Sequence, residues 1–180
     1  ILLTGARGTG KSSLIKSVFK KYSDQGLKLI DVGREEMKDL GEIISLIEKS
    51  KCRFIVFCDD LSFEAEDSGY KSLKAVLDGS MVTLPTNALI YATSNRRHLM
   101  PEYFSDNQSS TKNQKGEIHP NEAIEESISL SDRFGIWVPF YPFDQKSYLE
   151  IVKRWTSKLG GVWEDEEDFK RKALQWATSK

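Results

Sequence analysis

Apolar positions along the chain switch repeatedly between short continuous runs and the three-to-four-residue spacing of a helix. "ILLT" at residues 1–4 reads as a buried strand already under way at Ile1, so the chain is expected to be a fragment whose strand begins earlier. A helix is predicted next, with Leu14, Val18 and Tyr22 on one side and Ile15 and Phe19 beside them. "LKLIDV" gives a second strand, after which Met37, Leu40, Ile44 and Ile47 keep helical spacing through "REEMKDLGEIISLIEKS". "FIVFC" is a third strand, and Tyr70, Leu73 and Leu77 mark a helix that ends near Gly79. "ALIYATSN" makes a fourth strand, "NEAIEESISLSDRF" has helical spacing, and "GIWVPF" forms a fifth strand closed by Pro142. Between them, Ser105 to Glu117 ("SDNQSSTKNQKGE") has no apolar period and is expected to be a mobile surface loop.

Strands alternating with helices predict an α/β fold, a parallel sheet with helices on its faces. From Asp144 onward the pattern is helical only: "DQKSYLEIVKRW", a break at Gly160-Gly161, then "EDEEDFKRKALQWA". The last segment carries acids in its first turn and bases later, which suits the helix dipole. A boundary near residue 142 therefore separates an α/β core, 1–142, from a helical segment, 143–180.

Composition narrows the partners. A chain of 180 residues, 39% hydrophobic, suffices for one compact core. A formal net charge of −1 supplies no global field toward nucleic acid or an anionic membrane. The longest apolar runs are strand-sized, far short of a bilayer span. Cys52 and Cys58 flank a strand at a spacing that fits neither a zinc set nor a CxxC pair; two reduced thiols suit a cytoplasmic setting. His98 and His119 stand apart, which speaks against a histidine metal site.

The chemistry concentrates after the first strand. Gly5, Ala6, Arg7, Gly8, Thr9, Gly10, Lys11 and Ser12 fit G-x-x-x-x-G-K-[ST], with a strand before and a helix, opening through Ser13, after. Glycines let successive backbone N–H groups curl inward as an anion nest, and the helix adds the positive end of its dipole. Lys11 supplies charge to β- and γ-phosphates, and the Ser12 hydroxyl is a ligand for Mg²⁺. Such a loop needs a carboxylate at the tip of a nearby strand, and "FIVFCDD" delivers Asp59 for Mg²⁺ and Asp60 where a general base or water-orienting group is expected.

This set of motifs resembles the AAA+ ATPases. The likeness spans nearly the whole chain, and is greatest to an uncharacterised bacterial AAA+ family, a domain of unknown function, in which "DDLSFE", "YATSNRRHL" and "SLSDRFG" stand in similar words. "SDRFG" before a strand and a proline also resembles the end of the ATPase core in replication initiators and helicase loaders. The resemblance implies a five-stranded parallel sheet of order 5-1-4-3-2, sandwiched by helices, with the start of a helical lid. It implies ATP and ADP as ligands with Mg²⁺, a homo-oligomer, and a protein client. Asn95 in "YATSN" then matches the first sensor; the plainer alternative is an Asn capping a turn, with Ser94 and Thr93 as fallback candidates. Arg133 matches an arginine finger that reaches a neighbour's nucleotide; the plainer alternative is an Arg paired with Asp132 or a nearby acid. Arg96 and Arg97 are weaker candidates for that interface.

Two departures stand out. The resembled family usually carries Glu directly after the Mg²⁺ aspartate, whereas Asp60 is one methylene shorter, with Glu64 a conceivable helper. No lid "GR"-type second sensor appears, and Arg171 and Lys172 are expected on a solvated face. The expected function is Mg-ATP binding and hydrolysis by an AAA+ subunit that remodels a partner. The alternatives are a slow or non-hydrolysing ATP switch, a helicase-loader-like DNA-associated ATPase, and a P-loop kinase. No DNA-reading module is present in the sequence, so nucleic acid is not indicated, and no membrane partner is expected.

Overall fold

The computed structural model describes residues 1–63, 67–80, 82–95 and 130–179. The Ser105–Glu117 stretch, Glu64, Arg96, Arg97, both histidines and most of the helix expected over 121–134 lie outside the described residues. The chain divides into two compact units, Ile1–Phe140 and Tyr141–Lys180, two residues before the boundary that the sequence predicts.

The first unit is built on five strands: β1 (Leu2–Gly5), β2 (Leu27–Asp31), β3 (Arg53–Cys58), β4 (Ala88–Ser94) and β5 (Trp137–Phe140). All pair in parallel, in the order β2-β3-β4-β1-β5, which is the implied 5-1-4-3-2 order read from the other edge. Parallel neighbours need crossovers. These are supplied by α1 (Lys11–Tyr22), by a 3-10 turn (Glu36–Asp39) running into α2 (Leu40–Glu48), and by α3 (Ser68–Asp78). The proline of β5, Pro139, sits on an edge strand that pairs only with β1, where a missing N–H is tolerated.

Strands covered on both faces divide their side chains between two cores. On one face Leu2, Val56, Cys58, Ile90 and Ala92 meet Met37, Leu40, Ile44 and Leu73 from the helical segments. On the other, Leu3, Ile55 and Phe57 meet Ile15 of α1. The four apolar positions expected through 37–47 are all buried.

The expected inner face of α1 needs correction. Ile15 is 1% exposed, whereas Leu14 and Tyr22 are 47% and 40% exposed. Lys11 and Ile15 lie one turn apart and are both buried, so the inward stripe of the helix runs through the lysine. Positions 14 and 22 are thereby rotated outward.

The second unit holds α4 (Gln145–Lys158) and α5 (Glu166–Thr178), separated by a turn at Gly160 with φ +81°. Asp144 caps α4 by accepting the Ser147 N–H at 2.8 Å, which holds its carboxyl below the usual aspartate range. Asp165 caps α5 through Glu167 and Asp168 N–H. The Tyr148 hydroxyl donates to the Ala173 carbonyl at 3.0 Å, joining the helices, and the Trp163 and Phe169 rings pack with centroids 4.6 Å apart. Arg171 and Lys172 both pair with Asp168 on the exposed face. No helix among the described residues is long and apolar enough to cross a membrane.

Candidate functional site

The register of the sheet gathers three strand ends. Thr4 of β1 stands beside Ser94 of β4, and Ala92 of β4 beside Cys58 of β3. The loops leaving their carboxyl ends therefore emerge side by side, where open parallel sheets hold ligands.

The loop from β1 into α1 turns on three glycines with positive φ: Gly5 (+133°), Gly8 (+75°) and Gly10 (+94°). At Gly5 even a methyl group would fall 1.8 Å from the Phe140 carbonyl oxygen, so β5 approaches too closely for any side chain. The Thr9 hydroxyl donates to the Ala6 carbonyl at 2.8 Å and closes the bend. Gly10 is the N-cap of α1 and offers no side-chain acceptor, and the first turn holds no acid. The first amides of α1 and the positive end of its dipole are thus left to an external anion.

Lys11 is 6% exposed. Its three ammonium hydrogens find three acceptors: the carbonyls of Gly5 and Ala6, each at 2.8 Å, and Asn95 Oδ1 at 2.9 Å. Loss of hydration lowers its pKa, opposed by the charges of Asp60 and Asp59, while Arg7 adds to the lowering.

The acids at the end of β3 face this loop. Asp59 Oδ1 accepts the Ser12 hydroxyl at 2.7 Å and the Thr93 hydroxyl at 2.6 Å. Asp60 accepts the Asn95 side-chain N–H at 2.5 Å. The Asn95 amide therefore bridges Lys11 and Asp60. Arg7, Lys11, Ser12, Asp59, Asp60 and Asn95 line one cleft of about 360 Å³, with Thr93 on its strand side and Gly8, Gly10 and Ser13 completing its glycine-loop wall. Gly5, Ala6 and Thr9 shape the loop without lining the cleft.

Ser12 and Asp59 are hard oxygen donors held within one hydrogen bond of each other, with a second carboxylate adjacent. Among the described residues no group of three His, Cys, Asp or Glu side chains stands ready for a metal. That sparse set fits Mg²⁺, which takes one or two carboxylates and completes its shell with phosphate oxygens and water.

Arg133 is not part of the cleft. It forms an ion pair with Asp78, the last residue of α3, and both side chains are 29% exposed. The sequence reading looked for its partner at Asp132 or a nearby acid and did not single out Asp78. The available signal was an acid at a helix C-terminus, where the dipole disfavours it unless a cation compensates. Thr93 was noted only as a fallback for Asn95. Its signal was a polar residue, here 2% exposed, that together with Ser94 ends a strand whose earlier positions are alanine, leucine, isoleucine and tyrosine.

An interior β1 followed by a glycine-and-lysine loop, with acids on the strand two places away in a 5-1-4-3-2 parallel sheet, defines the AAA+ class of P-loop folds. Solved structures agree. The AAA domain of FIGL-1, in a complex with ADP, matches with TM-score 0.58 and 14% identity over 96% of this chain and 53% of that one. PCH-2 of C. elegans matches with TM-score 0.54 and 18% identity over 92% of this chain and 42% of that one. The chain thus spans about half the length of these structures, and the likeness is one of fold. The chain belongs to the family described as "Protein of unknown function (DUF815)", which matches residues 1–180. Among curated proteins none matches the sequence.

Proposed function

We propose that this chain binds Mg·ATP and hydrolyses it to ADP and phosphate as one subunit of an oligomer that remodels a protein client. The observation that supports it best is the single cleft in which a glycine-capped helix start, a buried lysine, an amide and two carboxylates converge. In this reading the amides of residues 8–13 and the Lys11 ammonium grip the phosphate tail, with Asn95 yielding its place on Lys11 to the γ-phosphate. Ser12 and Asp59 hold Mg²⁺, which when bound neutralises charge on the phosphates. Asp60 orients the attacking water and takes its proton, and the Asn95 amide holds Asp60 in position.

Charge develops on the γ-phosphoryl group as it leaves, and a delocalised cation placed there stabilises it. Arg133 of a neighbouring copy fills that role, residues 143–180 supply helices to a lid, and the assembly works in the cytoplasm. The test is ATP turnover across protein concentration. Turnover per subunit should rise with concentration and fall about 10³-fold in Arg133→Ala, with ATP affinity kept. Asp78→Asn breaks the same ion pair but leaves the arginine, and should retain turnover. Concentration-independent turnover that ignores Arg133 would refute the shared site.

A second reading, a slow ATP-dependent switch, is favoured by one observation: the shorter acid at position 60 is already engaged by Asn95. It predicts ATP retained one per subunit without phosphate release.

A further inference from the structure

Asp60 is the only non-glycine among the described residues with a positive φ, 51°. Aspartate tolerates this left-handed conformation better than most residues, but it persists where surrounding groups hold it. The holder is on the neighbouring strand. The Thr93 hydroxyl accepts the Asp60 backbone N–H at 2.8 Å and donates its one proton to Asp59 Oδ1 at 2.6 Å. The next residue is tied to the same place: the Leu61 N–H donates to the Thr93 carbonyl at 2.7 Å, and the Ser94 hydroxyl donates to the Leu61 carbonyl at 2.8 Å.

One buried hydroxyl thus serves both acids by different means. It fixes the Asp59 side chain beside Ser12, on an oxygen that Ser12 shares, and leaves the second carboxylate oxygen to other partners. It fixes the Asp60 main chain in the turn from which its carboxylate meets Asn95. We propose that Thr93 is a positioning residue for the acid pair, setting where Asp59 meets the metal and where Asp60 meets water. The functional half of this inference rests on the Mg·ATP reading of the cleft; the structural half does not.

The test compares wild type, Thr93→Val and Thr93→Ser. Valine keeps the shape and removes the hydroxyl, while serine keeps the hydroxyl. Hydrogen exchange at the Asp60 amide, measured without nucleotide, should quicken at least about tenfold in Thr93→Val and stay near wild type in Thr93→Ser. With nucleotide, Thr93→Val should need roughly ten to a hundred times more Mg²⁺ for half-maximal turnover, the usual cost of losing a ligand's supporting hydrogen bond. Its ADP affinity in EDTA should be unchanged. If Thr93→Val does not fold, Thr93→Ala, which removes the hydroxyl without pressing a methyl group on the Asp60 amide, carries the same expectation. Wild-type exchange and wild-type Mg²⁺ dependence in the hydroxyl-free variant would overturn the proposal. Should wild type itself fail to bind ATP with Mg²⁺, the nucleotide reading fails, and the exchange measurement still decides whether Thr93 holds the turn.

Discussion

At position 60 the side chain and the backbone make separate demands. The resembled family usually has glutamate there, and a longer acid would bring its carboxylate further toward a phosphate. The backbone, however, is left-handed at φ 51°, a region that aspartate enters more readily than glutamate. Asp60→Glu should therefore lower stability by about 1 kcal/mol in urea unfolding and give no gain in turnover. A more active, equally stable glutamate variant would contradict this. The glycine loop, Lys11 and the acid pair were legible in the sequence because each demand is local: a bend, a cation, a strand-end carboxylate. The role of Thr93 was not, since it arises only when β4 lies beside β3 and sets a hydroxyl between two consecutive aspartates. The Arg133 partner was hidden for the same reason, being 55 residues away along the chain.

Among the elements, the strands were the most legible, because short apolar runs bounded by polar turns have few other uses in a chain with this helical spacing between them. The rotation of α1 was not. A pattern of apolar residues locates a stripe, but the buried Lys11 draws the helix round so that Ile15 points inward and Leu14 outward. Within β3, Cys58 occupies a fully buried inward position, and burial, aided by the nearby Asp31 charge, pushes its thiol up to about 12. Only the thiolate reacts with disulfide reagents. At pH 8 the native protein should show one accessible thiol, the partly exposed Cys52, and a second only after denaturation. Two fast thiols in the native state would contradict the described β3 packing. The sign for stability follows: the contribution of the neutral thiol is intact below the ordinary thiol pKa and falls as pH rises from there toward 12.

At the scale of the whole molecule, the first unit holds the entire glycine-loop cleft, and the second is a pair of capped helices joined by the Tyr148 hydroxyl and the Trp163–Phe169 ring contact. A near-zero net charge gives no long-range pull toward a polyanion, so in the proposed reading nucleotide capture would rest on the local field of the loop, the helix start and Lys11. The AAA+ fold by itself fixes no reaction. Calorimetric titration of ATP with Mg²⁺ into wild type and Lys11→Ala bears most directly on the account. Wild type should bind one ATP per chain, and loss of a charge-assisted contact to phosphate should weaken binding roughly ten- to a hundredfold in the variant. Equal affinity in the two proteins, or no binding to wild type, would contradict the phosphate cleft on which the account rests.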